Sequence, residues 1–249
     1  MTRPLVVAAV GGTAVSIVCI ALANVVSPSV WPPSFLSAPA GADFDWRRHF
    51  RWHSSSANPQ SAAIVKREVS WAGAEVLEIN LPALVYFQPA QTWHVTVQGT
   101  QATIDQVALS GGVLGSRWRA APDGSSVEVN ISGPAVKRFA VLSSAQLVVQ
   151  QLHQEDLEVD VRGSGSVELS GEVSHLKVQL YGAAYADLRN LQVGNLQASI
   201  LGASRADIGT VNDAQIAVIG PGAVRLAGRP LHLVTRISGA GRIIASERR

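Results

Sequence analysis

The chain has 249 residues, enough for one sizeable domain or for a domain with an anchor. Hydrophobic residues make up 47% and charged ones 15%, a balance that excludes disorder over the whole length. A net charge of +2, with no Lys/Arg run interleaved with aromatics along a strand, gives no footprint for nucleic acid.

At the N-terminus Arg3 supplies a positive charge, and residues 4–26 follow without a charged side chain. As a helix rising about 1.5 Å per residue, this stretch could cross a hydrocarbon core of roughly 30 Å. Ala21-Leu22-Ala23 also fits the small-x-small pattern of a signal peptidase site. Residues 1–26 therefore read as a cleaved signal peptide or a retained transmembrane anchor. Both place the remainder outside the cytoplasm, in the periplasm or cell envelope, released or membrane-anchored. The single cysteine, Cys19, follows the bulky Val18, which makes a poor lipoprotein site. Residues 27–62 carry Pro28, Pro32, Pro33, Pro39 and Pro59 and read as a linker. Within it, residues 43–53 are dense in aromatic and basic side chains, suited either to a membrane interface or to a strap on the folded domain.

Residues 63–249 form the expected folded domain, and internal periodicity is its strongest signal. Segments ending at Gly163, Gly182, Gly202, Gly220 and Gly239 align at spacings of 19, 20, 18 and 19 residues. Two positions before each glycine stand Val161, Leu180, Ile200, Val218 and Ile237; four positions after it stand Val167, Ala186, Ala206, Val224 and Ile243. Apolar residues recur at every second position on both sides of the glycine, the period of a strand with one buried face. So short a unit cannot bury its own apolar row. Stacking each unit on the next, at roughly 4.8 Å per layer, closes a shared core. The expected fold is all-β: a parallel β-helix, or β-solenoid, with the glycines at its corners. A second glycine follows in three units as Gly165, Gly222 and Gly241; Ala184 and Ser204 replace it in the others, which would flatten those corners.

Upstream, the segment from Val127 to Gly133 has the same form, 30 residues before Gly163, with further strand material from Phe139 to Leu152. Alternation at residues 76–82 and 93–99 marks Ile64 to Trp118 as strands that begin or cap the stack. On Trp71-Ala72-Gly73, Leu77 to Ala83, Val95 to Gly99 and the serial Gly-x-Gly strands, the chain from about residue 63 onward resembles the DUF2807 family, the putative auto-transporter adhesins with a head GIN domain. The resemblance implies a β-helix in the bacterial envelope and assigns no binding residues.

Sequence motifs for catalysis are missing. Gly202-Ala203-Ser204-Arg205-Ala206 only approaches the nucleophile-elbow pattern, and His49, His53, His94, His153, His175 and His232 lack metal-ligand spacing. His153 and Asp156 could form an acid/base pair or lie on a solvated edge. No cofactor is expected. Five positions after the glycines, Glu168, Asp187, Asp207 and Arg225 form a column in which a cation or the neighbouring Arg189, Arg205 and Arg225 would offset like charges. One position before the glycines, Arg162, Tyr181, Leu201, Ile219 and Ser238 form an outward column with an apolar centre, a candidate partner surface at Tyr181, Leu201 and Ile219. The expectation is a non-enzymatic envelope module presenting a β-helix face to a protein or glycan partner, with membrane contact through an uncleaved N-terminus. Two alternatives stand beside it: a surface adhesin, and a carbohydrate-active enzyme with carboxylates paired across rungs. The charged end, residues 246–249, would help cap the solenoid.

Overall fold

The structure, a computed structural model, describes residues 63–117 and 125–245. The apolar stretch, the linker with its aromatic segment and the charged C-terminal tail lie outside the described residues. Among the described residues, one short helix follows the fourth of the strands that make up a single 15-stranded sheet.

The repeat folds as its period requires. Strands β9 (Gln146–Gly163), β10 (Ser166–Gly182), β11 (Tyr185–Gly202) and β12 (Arg205–Ile219) stack in parallel. Each is long enough to wrap around the solenoid, so it contributes first to the face that trails a glycine and then to the face that leads into the next. On the trailing face, β13 (Ala223–Leu226) and β15 (Arg242–Ala245) continue the stack. On the leading face β14 (His232–Ser238) lies against β12. Glycine stacks on glycine: Gly163 pairs with Gly182, and Gly182 with Gly202. Val161, Leu180, Ile200 and Val218 are fully buried, and Leu169, Leu188, Ile208 and Leu226 nearly so. Each such aliphatic side chain contributes about 1.5–3 kcal/mol by leaving water, so the shared core replaces what no single rung could supply.

At the corner Gly202 has φ +90°, and a Cβ there would lie 2.7 Å from the Gly182 carbonyl oxygen. Only glycine meets both conditions without strain. The expected flattening at Ala184 and Ser204 does not occur. Tyr185 N–H donates to Gly165 O at 3.0 Å, Arg205 N–H to Ala184 O at 2.9 Å and Ala223 N–H to Ser204 O at 3.0 Å, so the same bond closes successive corners. Ser204 is buried, with its hydroxyl donating to Gly182 O at 3.1 Å and accepting from Ala184 N–H at 3.2 Å. The hydroxyl takes up polar groups that the corner leaves inside.

The N-terminal part begins the stack, with an order the sequence hid. Strand β3 (Ala83–Pro89) lies between β7 (Val127–Gly133) and β9, parallel to both. Strand β2 (Val76–Asn80) lies between β6 (Val113–Ser116) and β8 (Arg138–Val141), and β8 in turn lies on β9. The segment Val127–Gly133 therefore belongs to the trailing face, not to the leading face of its apparent relatives. Gly133 meets the ring of Trp93 rather than another corner glycine. At the outer edge, β1 (Ile64–Val69) and β4 (His94–Thr100) add antiparallel pairs, and β5 (Val107–Ser110) pairs antiparallel with β6. The helix α1 (Gln101–Ile104) turns the chain after β4 and buries Ile104. Trp93 packs on Trp71 and Phe87, with centroids 4.4 and 6.4 Å away, and Phe87 meets Phe139 edge-on at 5.2 Å.

Candidate binding face

The leading face carries four outward columns, because in-register parallel pairing puts equivalent residues of successive rungs side by side. Column by column they read Asp156, His175, Asn195, Asp213, His232; then Glu158, Lys177, Gln197, Gln215, Val234; then Asp160, Gln179, Ser199, Ala217, Arg236; and last Arg162, Tyr181, Leu201, Ile219, Ser238. The last is the column read from the sequence. Tyr181 and Leu201 are half-buried, while Ile219 is 50% exposed. The Arg162 guanidinium stands 5.4 Å from the Tyr181 ring centroid, in reach of its π-face.

Charges on this face are mostly spent on each other. Asp160, 1% exposed, accepts from Arg162 Nη2 at 2.8 Å and from Arg138 Nη2 at 3.4 Å. The hydrogen bond to Asp160, and then its charge, hold the Arg162 pKa above its ordinary value. Lys177 Nζ donates to Glu158 at 2.9 Å, and Asn195 Nδ2 lies 3.2 Å from His175 Nδ1. What faces outward is an amide-rich ladder beside an apolar stripe, with a shallow groove of about 490 Å3 lined by Glu158, His175, Lys177, Asn195, Gln197 and Gln215.

The acidic column sits on the trailing face. Glu168 pairs with Asp187, Asp187 with Asp207, and Asp207 with Arg225, as expected. The carboxylates are less open than alternation implies: Asp187 is 3% exposed. Arg189 forks onto it, Nη2 to Oδ2 at 2.6 Å and Nε to Oδ1 at 2.9 Å. Those bonds raise the Arg189 pKa. Asp207 accepts from the Tyr185 hydroxyl at 2.8 Å and from Arg205 Nε at 3.3 Å. Burial, followed by that hydrogen bond, raises the Tyr185 pKa well above its ordinary value. Arginines and a tyrosine supply positive and donor groups to Asp187 and Asp207. Among the described residues no group of three or more His, Cys, Asp or Glu side chains could hold a metal ion. His153 does not engage Asp156; its Nδ1 lies 3.2 Å from Gln151 O.

One feature left no mark in the sequence. The outward side of β1, β4, β7, β3 and β9 forms a polar depression of about 560 Å3, lined by Tyr86, Gln88, Thr96, Gln98, Asn130 and Gln150 among others. Antiparallel pairing of β4 with β7 assembles it, and no repeat marks that pairing.

A β-solenoid with an amide-rich outer face, an apolar stripe and a neutralised acidic column defines a class of rigid, repeat-built modules. The chain belongs to the DUF2807 family, described as "putative auto-transporter adhesin, head GIN domain", whose model matches residues 65–230. No curated protein matches it. Among solved structures, a putative adhesin from Bacteroides fragilis superposes with TM-score 0.61 at 14% identity, over 75% of this chain and 98% of that one. That likeness bears on the fold, a solenoid of about five turns. Two proteins from Parabacteroides distasonis, a putative adhesin and a putative lipid binding protein, match at TM-scores 0.49 and 0.47, with 16% and 13% identity, each over 75% of this chain and 98% of theirs.

Proposed function

We propose that the chain is a non-enzymatic binding module of the bacterial cell envelope, and that a protein or glycan partner lies along the leading face over Tyr181, Leu201 and Ile219. The observation that carries this reading is the in-register column itself, an apolar stripe that remains half-buried to exposed beside a ladder of amides. A rigid solenoid holds these side chains at fixed spacing, so little ordering cost falls on the module when it binds. The stripe supplies desolvated contact, and Gln179, Gln197 and Gln215 supply hydrogen bonds that fix register. The engagement of Asp187 and Asp207 by Arg189, Arg205 and Tyr185 supports the non-enzymatic reading.

The test is binding of the full chain to envelope fractions separated into glycan and membrane-protein pools, beside a Leu201→Glu/Ile219→Glu variant. At least a tenfold loss in one pool, about 1.4 kcal/mol, supports the face and identifies the partner class. Equal binding by both chains refutes the placement. Release of reducing ends from the glycan pool would refute the non-enzymatic reading. Surface adhesion, which the family description favours, requires display beyond the outer barrier; digestion of the domain by protease added to intact cells would establish it.

A further inference from the structure

Among the described residues, no strand covers the last rung at β14. Leu233 and Ile237 stack directly on Ala214 and Val218, core residues 2% and 0% exposed, yet they are themselves 41% and 47% exposed. They occupy core positions that no described strand covers. All seven residues of β14 are exposed, and among the described strands β14 pairs only with β12. The Ser238 carbonyl accepts from Gly220 N–H at 2.8 Å, which turns the even-numbered peptide groups of β14 toward β12. By strand alternation the N–H and C=O groups of Leu233, Thr235 and Ile237 face the free edge. An apolar, uncapped edge strand of this kind is a template for pairing.

We propose that this edge is a self-association surface, on which a second copy of the chain pairs β14 against β14 in antiparallel fashion about a two-fold axis through Thr235. The sequence of β14 is self-complementary in that register. Leu233 falls opposite the second copy's Ile237 and Thr235 opposite itself, so inward residues meet inward residues and the two cores run together. The pairs that meet are those whose peptide groups face the edge, giving reciprocal hydrogen bonds. On the outer side Val234 falls opposite Arg236, and His232 opposite Ser238, so no cation faces a cation. Moving the axis one residue toward the C-terminus sets Arg236 against Arg236. Moving it one residue toward the N-terminus sets Arg236 against His232 and leaves fewer paired residues. The two-fold closes the contact, since it uses up the β14 edge of both copies and leaves no β14 edge for a third.

The experiment uses the full chain in mild detergent, with protein mass measured by light scattering corrected for detergent. Wild type is expected at twice the 26.2 kDa chain mass. Thr235→Pro is expected at the single mass, because proline removes an edge-facing N–H while leaving the β12 side intact. The register is read separately, by disulfide formation in a Cys19→Ser background. Differently tagged Val234→Cys and Arg236→Cys chains should cross-link to each other when mixed, several-fold faster than either does alone, since non-hydrogen-bonded antiparallel partners lie about 4.5 Å apart. This readout stands even if Thr235→Pro fails to fold. Wild type at the single mass, a ladder of higher masses, or a dimer without the 234–236 cross-link would each overturn the proposal.

Discussion

Replacing Gly202 by alanine tests the stacked-corner geometry against a control built into the same column. Gly163 and Gly202 share a left-handed backbone, φ +91° and +90°, so alanine at either adds about 1–2 kcal/mol of backbone strain. Both replacements also restrict the unfolded chain equally, and that contribution cancels. They differ in what the new methyl meets. At Gly163 nothing lies within 4 Å, whereas at Gly202 the methyl would stand 2.7 Å from the Gly182 carbonyl oxygen, well inside ordinary contact. The obstacle is backbone of the preceding rung, which cannot rotate away; relief requires two layers to part at a corner. Such overpacking costs about 1–3 kcal/mol. Gly202→Ala should therefore destabilise the domain by about 2–5 kcal/mol and Gly163→Ala by about 1–2 kcal/mol. Urea unfolding followed by circular dichroism measures both, with the slope checking that the same surface is exposed. Equal losses, within about 0.5 kcal/mol, would refute the argument that rung contact rather than backbone conformation dictates glycine at this corner.

Three further outcomes follow from the trailing face. Arg189→Ala should cost about 1–3 kcal/mol in thermal melting, because it leaves the buried Asp187 carboxylate without its fork, while Arg225→Ala, in register with Asp207 but making no hydrogen bond to it, should cost less than about 0.5 kcal/mol. Calcium and chelator should give the same melting temperature, since arginines already engage this column; a rise with calcium would show that Glu168, Asp187 and Asp207 take a cation. Tyr185 carries a raised pKa, so its stabilising share is fully present below its unfolded value of 10.0 and is lost as pH rises toward the folded value. Wild type should lose stability above pH 10 more steeply than Tyr185→Phe, by up to about 1.4 kcal/mol per pH unit; parallel curves would refute the role of burial and the Asp207 bond.

The repeating half was legible without coordinates, and so was the stripe at Tyr181, Leu201 and Ile219. In a solenoid the sequence period is the perimeter, so residues about 19 positions apart are stacked neighbours and a column can be read directly. That rule holds wherever the chain climbs one layer per turn. It fails where the path departs from it. Strand β3 enters the stack between β7 and β9, and β7 carries a terminal glycine like that of the repeats yet lies on the other face. There, neighbours are set by pairing between strands far apart in the chain, which no local pattern records. Burial was equally out of reach: alternation places Asp187 outward, but the arginine two residues on folds back over it and takes it from water. The polar depression and the open edge at β14 likewise belong to the assembled fold. Periodicity gives each residue its neighbours within a layer and between layers. Whether a further layer covers the last one is a property of the whole stack, and only the tertiary structure decides it.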